Sequence, residues 1–309
     1  MRLLFTIITC FYFTKINSQE VKPALETLIE FPKIRDFTMS FDKNEMYVTA
    51  QSNLEERSII LQIIKEDNGD TSVNIASFSG VYKDLEPFLS PDNLKLYFVS
   101  NRPIQPNSDE PKDFDIWEVE RDSIKGDWSL PRNIGSPINT VHNEFYPSVA
   151  NNGNLYFTSD APSSVGEDDI YMSKFENGAY TTPINLKGEV NTKSYEYNAF
   201  IAPDESYLLF GGYGRSDGYG SGDLYISFKD EKDIWGAVKN LGPLINSKYM
   251  DFCPFIADGK SLYFTSRRSN LTTSKKLNTV KSLIDKFNSY QNGLSRIYKV
   301  PLNIEDYKN

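Results

Sequence analysis

The feature that most constrains the fold of this chain is one phrase that recurs five times. The copies are SFDKNEMYVTAQ (40–51), SPDNLKLYFVSN (90–101), ANNGNLYFTSD (150–160), APDESYLLFGG (202–212) and ADGKSLYFTSR (257–267). Each copy places a turn signal before an alternating apolar strand, because Asp-Asn, Asn-Gly and Asp-Gly tolerate the left-handed backbone of tight hairpin turns. Spacings of roughly 50 to 60 residues are typical of circular repeat folds.

Further short strands flank each copy. An apolar strand precedes it (FTM, PFLS, YPSVA, AFIA, CPFIA), and a third strand follows it (SIILQIIK, FDIWEVER, DDIYMSKF, GDLYISF, SRIYKVPL). Copies two to four add a fourth piece: DWSLPRNIGSPINT, AYTTPINLKGEVNT and IWGAVKNLGPLINS. Four antiparallel strands per repeat predict an all-β fold, a β-propeller, in which blades around an axis cover faces that one blade cannot bury alone.

The two ends of the chain predict how the ring closes. The fifth copy stops after its third strand, and the segment ALETLIEFPKI (24–34) stands unassigned before the first copy. We therefore predict that an N-terminal strand at 24–34 completes the last blade and removes the free edges. The predicted blades cover about 35–80, 81–140, 141–192, 193–247 and 248–303, within one domain at 19–309. A sixth blade would need about 50 more residues.

Residues 1–18 have the composition of a signal peptide. Arg2 precedes an apolar stretch at 3–13, and the small Ser18 stands before a plausible cleavage point. A buried β-strand is the alternative, since the stretch is shorter than the roughly 20 residues that span a membrane. Cys10 lacks the small preceding residue that lipoprotein cleavage boxes favour. We predict a periplasmic or secreted protein without a lipid anchor and without a transmembrane segment in the mature chain.

Composition excludes several classes of function. The net charge of −9 and the absence of a Lys/Arg-rich block disfavour nucleic acid and anionic membranes as partners. After signal removal Cys253 is the one cysteine, which we interpret as a small core residue. His142 is the only histidine, interpreted as a polar surface residue, so a His-rich metal site is excluded. We predict no metal and no cofactor.

The repeats resemble a known family. SPDNLKLYFVSNRP with FDIWEV, APDESYLLFGG with GDLYIS, and ADGKSLYFTSRR with SRIYKV are similar to the WD40-like (PD40) repeat of TolB-type periplasmic proteins. The linking phrases around NIGSPINT and NLGPLINS resemble those of PD40 proteins exported by Bacteroidota-type bacteria. Copy one departs from the pattern, since it lacks the Pro of SPD and the DIY triplet. The resemblance covers about residues 36–300 and implies the fold and compartment more strongly than the function.

Carboxylates occupy one slot before each inner strand. Copies two to five hold Asp84, Glu144, Glu196 and Asp251 there, whereas copy one has Ile34, with Asp36 two residues later. If these acids meet at the channel mouth, they would bind a cation, a basic peptide or an amine. The alternative is that each accepts backbone hydrogen bonds at a blade junction. A second set of acids begins the third strands of copies two to four. We interpret them as turn-closing residues: Asp115, Asp169 and Asp223.

Two insertions depart from the blade pattern. The glycine-rich loop at 211–225 matches no phosphate-binding spacing, but its Tyr213, Arg215 and Tyr219 are candidate ligand contacts. The segment at 269–293 places four apolar residues on one helical face, at Leu277, Val280, Ile284 and Phe287, and predicts one helix at 273–292. Thr273 or Ser274 can cap its start, and Asn292-Gly293 can end it. The helix either packs on the blade or serves as a lid or docking element.

The sequence taken alone favours a binding protein over an enzyme. Acids duplicated with the blade indicate structure, since catalysis normally needs residues that differ between blades. We therefore predict a non-catalytic binding or scaffold module for an envelope protein, a peptide or a glycan, engaged at the channel mouth. The alternative is a five-bladed carbohydrate-active hydrolase that uses two channel carboxylates as acid and base, ~5–9.5 Å apart.

Overall fold

Each copy of the repeat forms one antiparallel sheet of four strands, and five such sheets surround an axis. A computed structural model describes residues 20–66, 68–105, 112–271 and 276–308. The all-β, five-bladed propeller predicted from the sequence is confirmed. The signal segment at 1–18 lies outside the described residues.

The strands follow one order in every blade. The chain enters with β1 (Lys22–Pro23), which belongs to the last blade. Blade 1 contains β2 (Lys33–Met39), β3 (Glu45–Gln51), β4 (Ser58–Lys65) and β5 (Thr71–Ile75). Blade 2 contains β6 (Asp84–Leu89), β7 (Lys95–Ser100), β8 (Asp115–Glu120) and β9 (Arg132–Asn133). The innermost strands of these two blades are β2 and β6.

Blades 3 to 5 repeat this order. Blade 3 contains β10 (Glu144–Val149), β11 (Leu155–Ser159), β12 (Asp169–Ser173) and β15 (Ile184–Asn185), with a side hairpin of β13 (Phe175–Glu176) and β14 (Ala179–Tyr180). Blade 4 contains β16 (Tyr195–Ile201), β17 (Tyr207–Tyr213), β18 (Asp223–Phe228) and β19 (Lys239–Asn240). Blade 5 contains β20 (Asp251–Ala257), β21 (Ser261–Ser266), β22 (Arg296–Pro301) and β1. The helices are two 3₁₀ turns (Glu26–Leu28 and Ile304–Tyr307) and α1 (Val280–Phe287).

The recurring aromatic residue of the second strand lies between blades. Phe98, Phe157, Phe210 and Phe264 occupy equivalent positions and are all buried. A fully buried Phe contributes roughly 1.5–3 kcal/mol by removing apolar surface from water. The aromatic residues of the repeats therefore stabilise the ring by packing in its core.

The phrase that links one blade to the next recurs because it contains an asparagine whose side chain bonds the backbone of the third strand. Asn139 accepts a hydrogen bond from the Ile116 N–H (2.9 Å) and donates one to the Ile116 carbonyl (2.8 Å). Asn191 binds Ile170 in the same way (2.9 and 2.8 Å), and Asn246 is the third example, on Leu224. The amide side chain thus imitates a backbone peptide and extends a fourth strand that is two residues long.

The ring closes through the N-terminal segment, two residues earlier than predicted. Lys22 and Pro23 pair with Lys299 and Tyr298 of β22, and the Ala24 N–H donates to the Ile297 carbonyl (2.9 Å). The predicted strand at 24–34 is wrong in its bounds. The chain must pass from the outer edge of blade 5 to the axis within about ten residues, so a 3₁₀ turn takes up much of this segment.

The insertion in blade 5 forms a helix that is shorter than predicted. α1 covers Val280–Phe287 rather than 273–292, and a capping box between Thr279 and Ser282 begins it. The predicted caps Thr273 and Ser274 lie outside the described residues. The helix ends at Asn288 and not at Asn292-Gly293, because Asn288 already directs its N–H to the last-turn carbonyl of Ile284.

The apolar face of α1 is left open. None of its residues is buried, and Val280, Ile284 and Phe287 are all more than half exposed. The interpretation that α1 packs on the blade is therefore wrong. Its loop joins β21 to β22, on the face of the propeller where the inner strands begin.

Candidate functional site at the channel mouth

The four repeated acids lie buried at the starts of the inner strands, each bonded to its own entry loop. Glu196 accepts hydrogen bonds from the hydroxyl (2.7 Å) and the N–H (2.8 Å) of Thr192. Glu144 makes the same pair with Thr140 (2.7 and 3.1 Å). Asp84 and Asp251 are buried in the same way. Within the described part of the chain, each of the four acids is thus bonded to groups of its own blade junction, which is the structural alternative that the sequence left open.

Three of these acids also hold a guanidinium. Arg102 binds Asp84 (2.6 Å), Arg215 binds Glu196 (2.9 Å) and Arg268 binds Asp251 (2.9 Å). Arg215, predicted as a loop contact, therefore faces inward. The other two predicted contacts, Tyr213 and Tyr219, are about half exposed on the same loop.

Glu144 has no such cation, because Ala161 stands where Arg102 and Arg268 stand in blades 2 and 5. Burial raises the pKa of Glu144 to about 7, although the two Thr140 hydrogen bonds oppose the shift. Blade 3 thus carries a junction whose charge depends on pH near neutrality.

The acids that begin the third strands bind asparagines of the fourth strands, and two of them, Asp169 and Asp223, also accept hydrogen bonds from backbone N–H groups of the preceding loop, those of Gly166 (3.3 Å) and Tyr219. Asp115, Asp169 and Asp223 accept hydrogen bonds from the amides of Asn133 (2.8 Å), Asn185 (2.6 Å) and Asn240 (3.1 Å), respectively. Each links the third strand to the fourth. His142 is half-buried in a blade junction, where its N–H donates to the Thr140 hydroxyl (3.1 Å).

A different set of residues meets on the axis. Every inner strand has a bulge, and a residue with positive φ occupies it: Asp36 (57°), Glu86 (57°), Tyr146 (48°), Asn198 (53°) and Cys253 (51°). None of the five is glycine, so each bulge is held in a costly backbone conformation by its surroundings. Bulges of this kind often re-aim side chains at functional sites.

Arg35 joins two carboxylates of this axial cluster. Its Nε donates to Asp36 (2.7 Å) and its Nη2 to Glu86 (2.7 Å). The Cys253 thiol donates to the Asp36 carboxylate (2.9 Å), and the Tyr146 N–H donates to Glu86 (2.7 Å). Cys253 is thus a buried hydrogen-bond donor rather than only an apolar core residue.

Burial dominates the electrostatics of the cluster. It raises the pKa of Glu86 to about 7, against the lowering effect of Arg35, and the charge of Asp36 adds to the rise. Burial also raises the pKa of the Cys253 thiol well above its usual range. Burial thus favours the protonated form of Glu86, whereas its hydrogen bonds from Arg35 and the Tyr146 N–H favour the ionised form.

The residues one position before the bulges lie next to the axial cluster in the chain, and Arg35 and Phe145 are partly exposed whereas the other three are buried: Arg35, Leu85, Phe145, Tyr197 and Phe252. Two guanidinium groups, of Arg35 and Arg267, lie 5.2 and 5.8 Å from the centre of the Phe252 ring. The Tyr197 hydroxyl is buried and has no hydrogen-bond partner among the described residues. An unpartnered buried hydroxyl costs free energy and marks a place where a ligand can bind.

Asp168 adds a carboxylate to this mouth. Its carbonyl accepts a hydrogen bond from the Glu196 N–H (2.9 Å), which fixes it beside the start of β16. Its partly exposed carboxylate receives no hydrogen bond from the described residues, and partial burial raises its pKa, with further contributions from Asp160 and Glu167. Its charge acts on Tyr197, whose pKa rises through burial, Cys253 and then Asp168.

The mouth therefore combines aromatic rings, two guanidinium groups, acids and an unpaired hydroxyl. Carboxylates and guanidinium groups bind hydroxyl-rich ligands through directed hydrogen bonds. The repeated phrase indicates the acid slot but not the residues one and two positions later, which form the axial cluster and its neighbours. Asp36 was the one visible signal, since it broke the pattern in copy one.

Within the described residues, no cluster of His, Cys, Asp or Glu is arranged to hold a metal ion. The helices there are also too short and too polar to cross a bilayer.

Comparison with known proteins identifies the fold and not the family. No family model and no curated protein matches the chain. Among solved structures it is similar to an arabinanase from Bacillus subtilis, with 15% identity, 89% of this chain and 96% of that chain covered, and a TM-score of 0.53. An α-L-arabinofuranosidase from Lactobacillus brevis gives 13%, 90%, 93% and 0.52. A protein described as a putative TolB from Agrobacterium tumefaciens gives 13%, 88%, 92% and 0.50.

These similarities correct one prediction. The similar structures include glycoside hydrolases of types GH43 and GH62, so this architecture does not argue against an enzyme, and the prediction that the protein is not an enzyme is overturned. The likeness to a TolB propeller agrees with the resemblance found in the sequence at the level of the fold.

Proposed function

We propose that this protein hydrolyses glycosidic bonds of a polysaccharide at the channel mouth. The observation that carries the proposal is the contrast between two carboxyl environments: Glu86, buried with a pKa of about 7, and Asp168, partly exposed and without a hydrogen-bond donor among the described residues. Glycosidases need one carboxyl group that can give a proton and one that can take it.

Each of these residues has a separate role in the proposed hydrolysis. Glu86 gives its proton to the leaving-group oxygen as the C–O bond breaks, and Asp168 takes a proton from the water whose oxygen bonds to the sugar carbon. Arg35, which contacts Asp36 and Glu86 and retains some exposure, is placed to bind substrate hydroxyls. Phe145 and Tyr197 supply apolar faces for the sugar ring.

Turnover assays test this proposal. Wild-type protein is incubated with arabinan, xylan and 4-nitrophenyl glycosides, with arabinan first because similar structures include arabinanases. Glu86→Gln and Asp168→Asn are each expected to lower turnover at least 100-fold. Glu167→Gln, at an exposed acid beside Asp168, is the matched control and is expected to retain activity. No turnover by the wild type on any substrate, or full activity in both variants, contradicts the proposal.

A protein or peptide of the cell envelope is the second candidate partner, favoured by the exposed apolar face of α1. Photo-crosslinking in cells from residue 284, with the exposed residue 124 of blade 2 as control, distinguishes the two proposals. A defined adduct from 284 alone supports a protein partner, and equal labelling from both positions contradicts it.

We also propose that the protein is exported to the periplasm or secreted, and that its repeats are of the PD40 type found in Bacteroidota-type bacteria. The composition of residues 1–18 and the repeat phrases support this proposal. Cell fractionation with N-terminal sequencing tests the export: a mature chain that begins at Gln19 supports it, and an intact Met1 in the cytoplasm contradicts it.

A further inference from the structure

A second cavity opens at the other end of the channel. It has a volume of ≈ 540 Å³ and is lined by residues from all five blades, at the ends of the inner strands and in the turns that follow them. Inner strands begin at the mouth that holds Arg35 and Glu86, so this cavity lies on the opposite face. Volumes of about 300–1,000 Å³ are typical of small-molecule sites.

The walls of the cavity are aromatic. Phe88, Phe200 and Phe255 line it, with ring centres 6.5 Å apart for Phe88 and Phe200 and 5.4 Å apart for Phe200 and Phe255. All three are buried in the protein, and Val149 from blade 3 completes the wall. Apolar cavities are poor sites for water, and they bind apolar ligands instead.

Three polar side chains of the lining, those of Asn93, Asn151 and Tyr207, have no hydrogen-bond partner among the described residues, and Asn93 is the most buried of them. Asn93 is 8% exposed, and its amide makes no hydrogen bond within the described part of the chain. The charged groups of the rim neutralise each other, since the Lys43 ammonium binds the Asp258 carboxylate (2.5 Å). The cavity therefore offers a few neutral donors and acceptors beside a wall of rings, with the Asn93 amide the most buried of them, and the Lys43–Asp258 pair leaves no unpaired charge of its own.

An exposed aromatic residue stands at the rim. Phe41, in the turn between β2 and β3, lines the cavity and is 89% exposed. An apolar molecule in the cavity would cover part of its ring and remove apolar surface from water.

We propose that this cavity binds a neutral aromatic molecule of one or two rings that carries a hydroxyl or amide group. The rings pack between Phe88, Phe200 and Phe255, and the polar group bonds the Asn93 amide. A charged ligand is disfavoured, because the Lys43–Asp258 pair leaves it no counter-charge and the walls are apolar. This site is separate from the proposed hydrolytic site and does not depend on it.

Fluorescence titration with 2-naphthol tests the proposal on the wild-type protein. Saturable one-to-one binding is expected. Asn93→Gly removes the amide at a positive-φ position (60°) that glycine tolerates, and it is expected to weaken binding about 3- to 10-fold through the lost hydrogen bond. Asn177→Gly, at an exposed hairpin turn with φ 52°, is the matched control and leaves binding unchanged. Val149→Phe fills the cavity and is expected to abolish binding.

Four results overturn the proposal. The first is the absence of saturable binding by the wild type, and the second is equal affinity in the wild type, Asn93→Gly and Val149→Phe. The third is a dimer, seen by sedimentation velocity, that excludes 2-naphthol and dissociates in Phe41→Ser, because a second copy would then be the occupant. Naphthalene-2-sulfonate, the charged analogue, is expected to bind at least 10-fold more weakly than 2-naphthol, and tighter binding also contradicts the assignment.

Discussion

Replacing Glu144 by Gln is expected to stabilise the protein at alkaline pH and to have little effect at acidic pH. The reason lies in the blade 3 junction, where the carboxyl group is buried and Ala161 replaces the arginine of the sister junctions. Burial raises the pKa of Glu144 from 4.5 to about 7 in the folded protein. Folding therefore favours the protonated form.

The sign and the size of this effect on the free energy of unfolding follow from the linkage between protonation and folding. A carboxyl group whose folded pKa is raised gives its full stability contribution below its unfolded pKa, and that contribution falls as pH rises from about 4.5 to 7. Each pKa unit corresponds to about 1.4 kcal/mol. The free energy of unfolding of Glu144→Gln minus that of the wild type is thus expected to grow by about 2 kcal/mol between pH 5 and pH 8.

The matched control is Glu196→Gln. Glu196 has the same two hydrogen bonds from a threonine four residues earlier, but it also binds Arg215 (2.9 Å). Its replacement leaves a buried guanidinium without its counter-charge and is expected to destabilise the protein at both pH values. Guanidinium chloride unfolding of both variants at pH 5 and pH 8 provides the measurement. A Glu144→Gln effect that is independent of pH, or that follows Glu196→Gln, refutes the reasoning.

Three further variants or probes test other parts of the structure. Ala161→Arg supplies the missing guanidinium and is expected to remove the pH-dependent difference at Glu144, as followed by the same unfolding curves; an unchanged difference contradicts the pairing. Tyr290→Phe deletes the hydroxyl that binds the Ala24 carbonyl at the ring closure and is expected to cost about 1–3 kcal/mol in denaturant unfolding; no loss shows that the closure does not limit stability. Cys253, buried and with a raised pKa, is expected to react with Ellman's reagent only after unfolding, and rapid reaction in native buffer contradicts its burial.

The five-bladed ring could be predicted because its signals are local and periodic. Each copy repeats a turn signal and an alternating strand, and both act within about ten residues. The closing strand begins two residues before its predicted position, because the path of the chain from the rim to the axis depends on the assembled ring. Segment 24–34 carries no signal for where that path must turn.

The axial cluster could not be predicted for a different reason. Strict alternation puts every second residue of a strand on the same face, so Glu86 should share the side of Asp84. A bulge with positive φ at Glu86 breaks this alternation, and such a conformation is unusual for glutamate. Arg35 then joins residues of blades 1 and 2, a contact that exists only once the blades stand side by side.

Because β1 and β22 share one blade, the ring cannot close before the ribosome has made blade 5. The Tyr290 hydroxyl binds Ala24, 266 positions earlier, so this contact forms only after residue 290 has been made. Until then the nascent chain holds blade 1 beside an open seam with unpaired strand edges, which are prone to pair with other chains. A circular permutant with new ends in the 230–233 turn would move that seam to blade 4 and join β22 to β1 through a covalent linker.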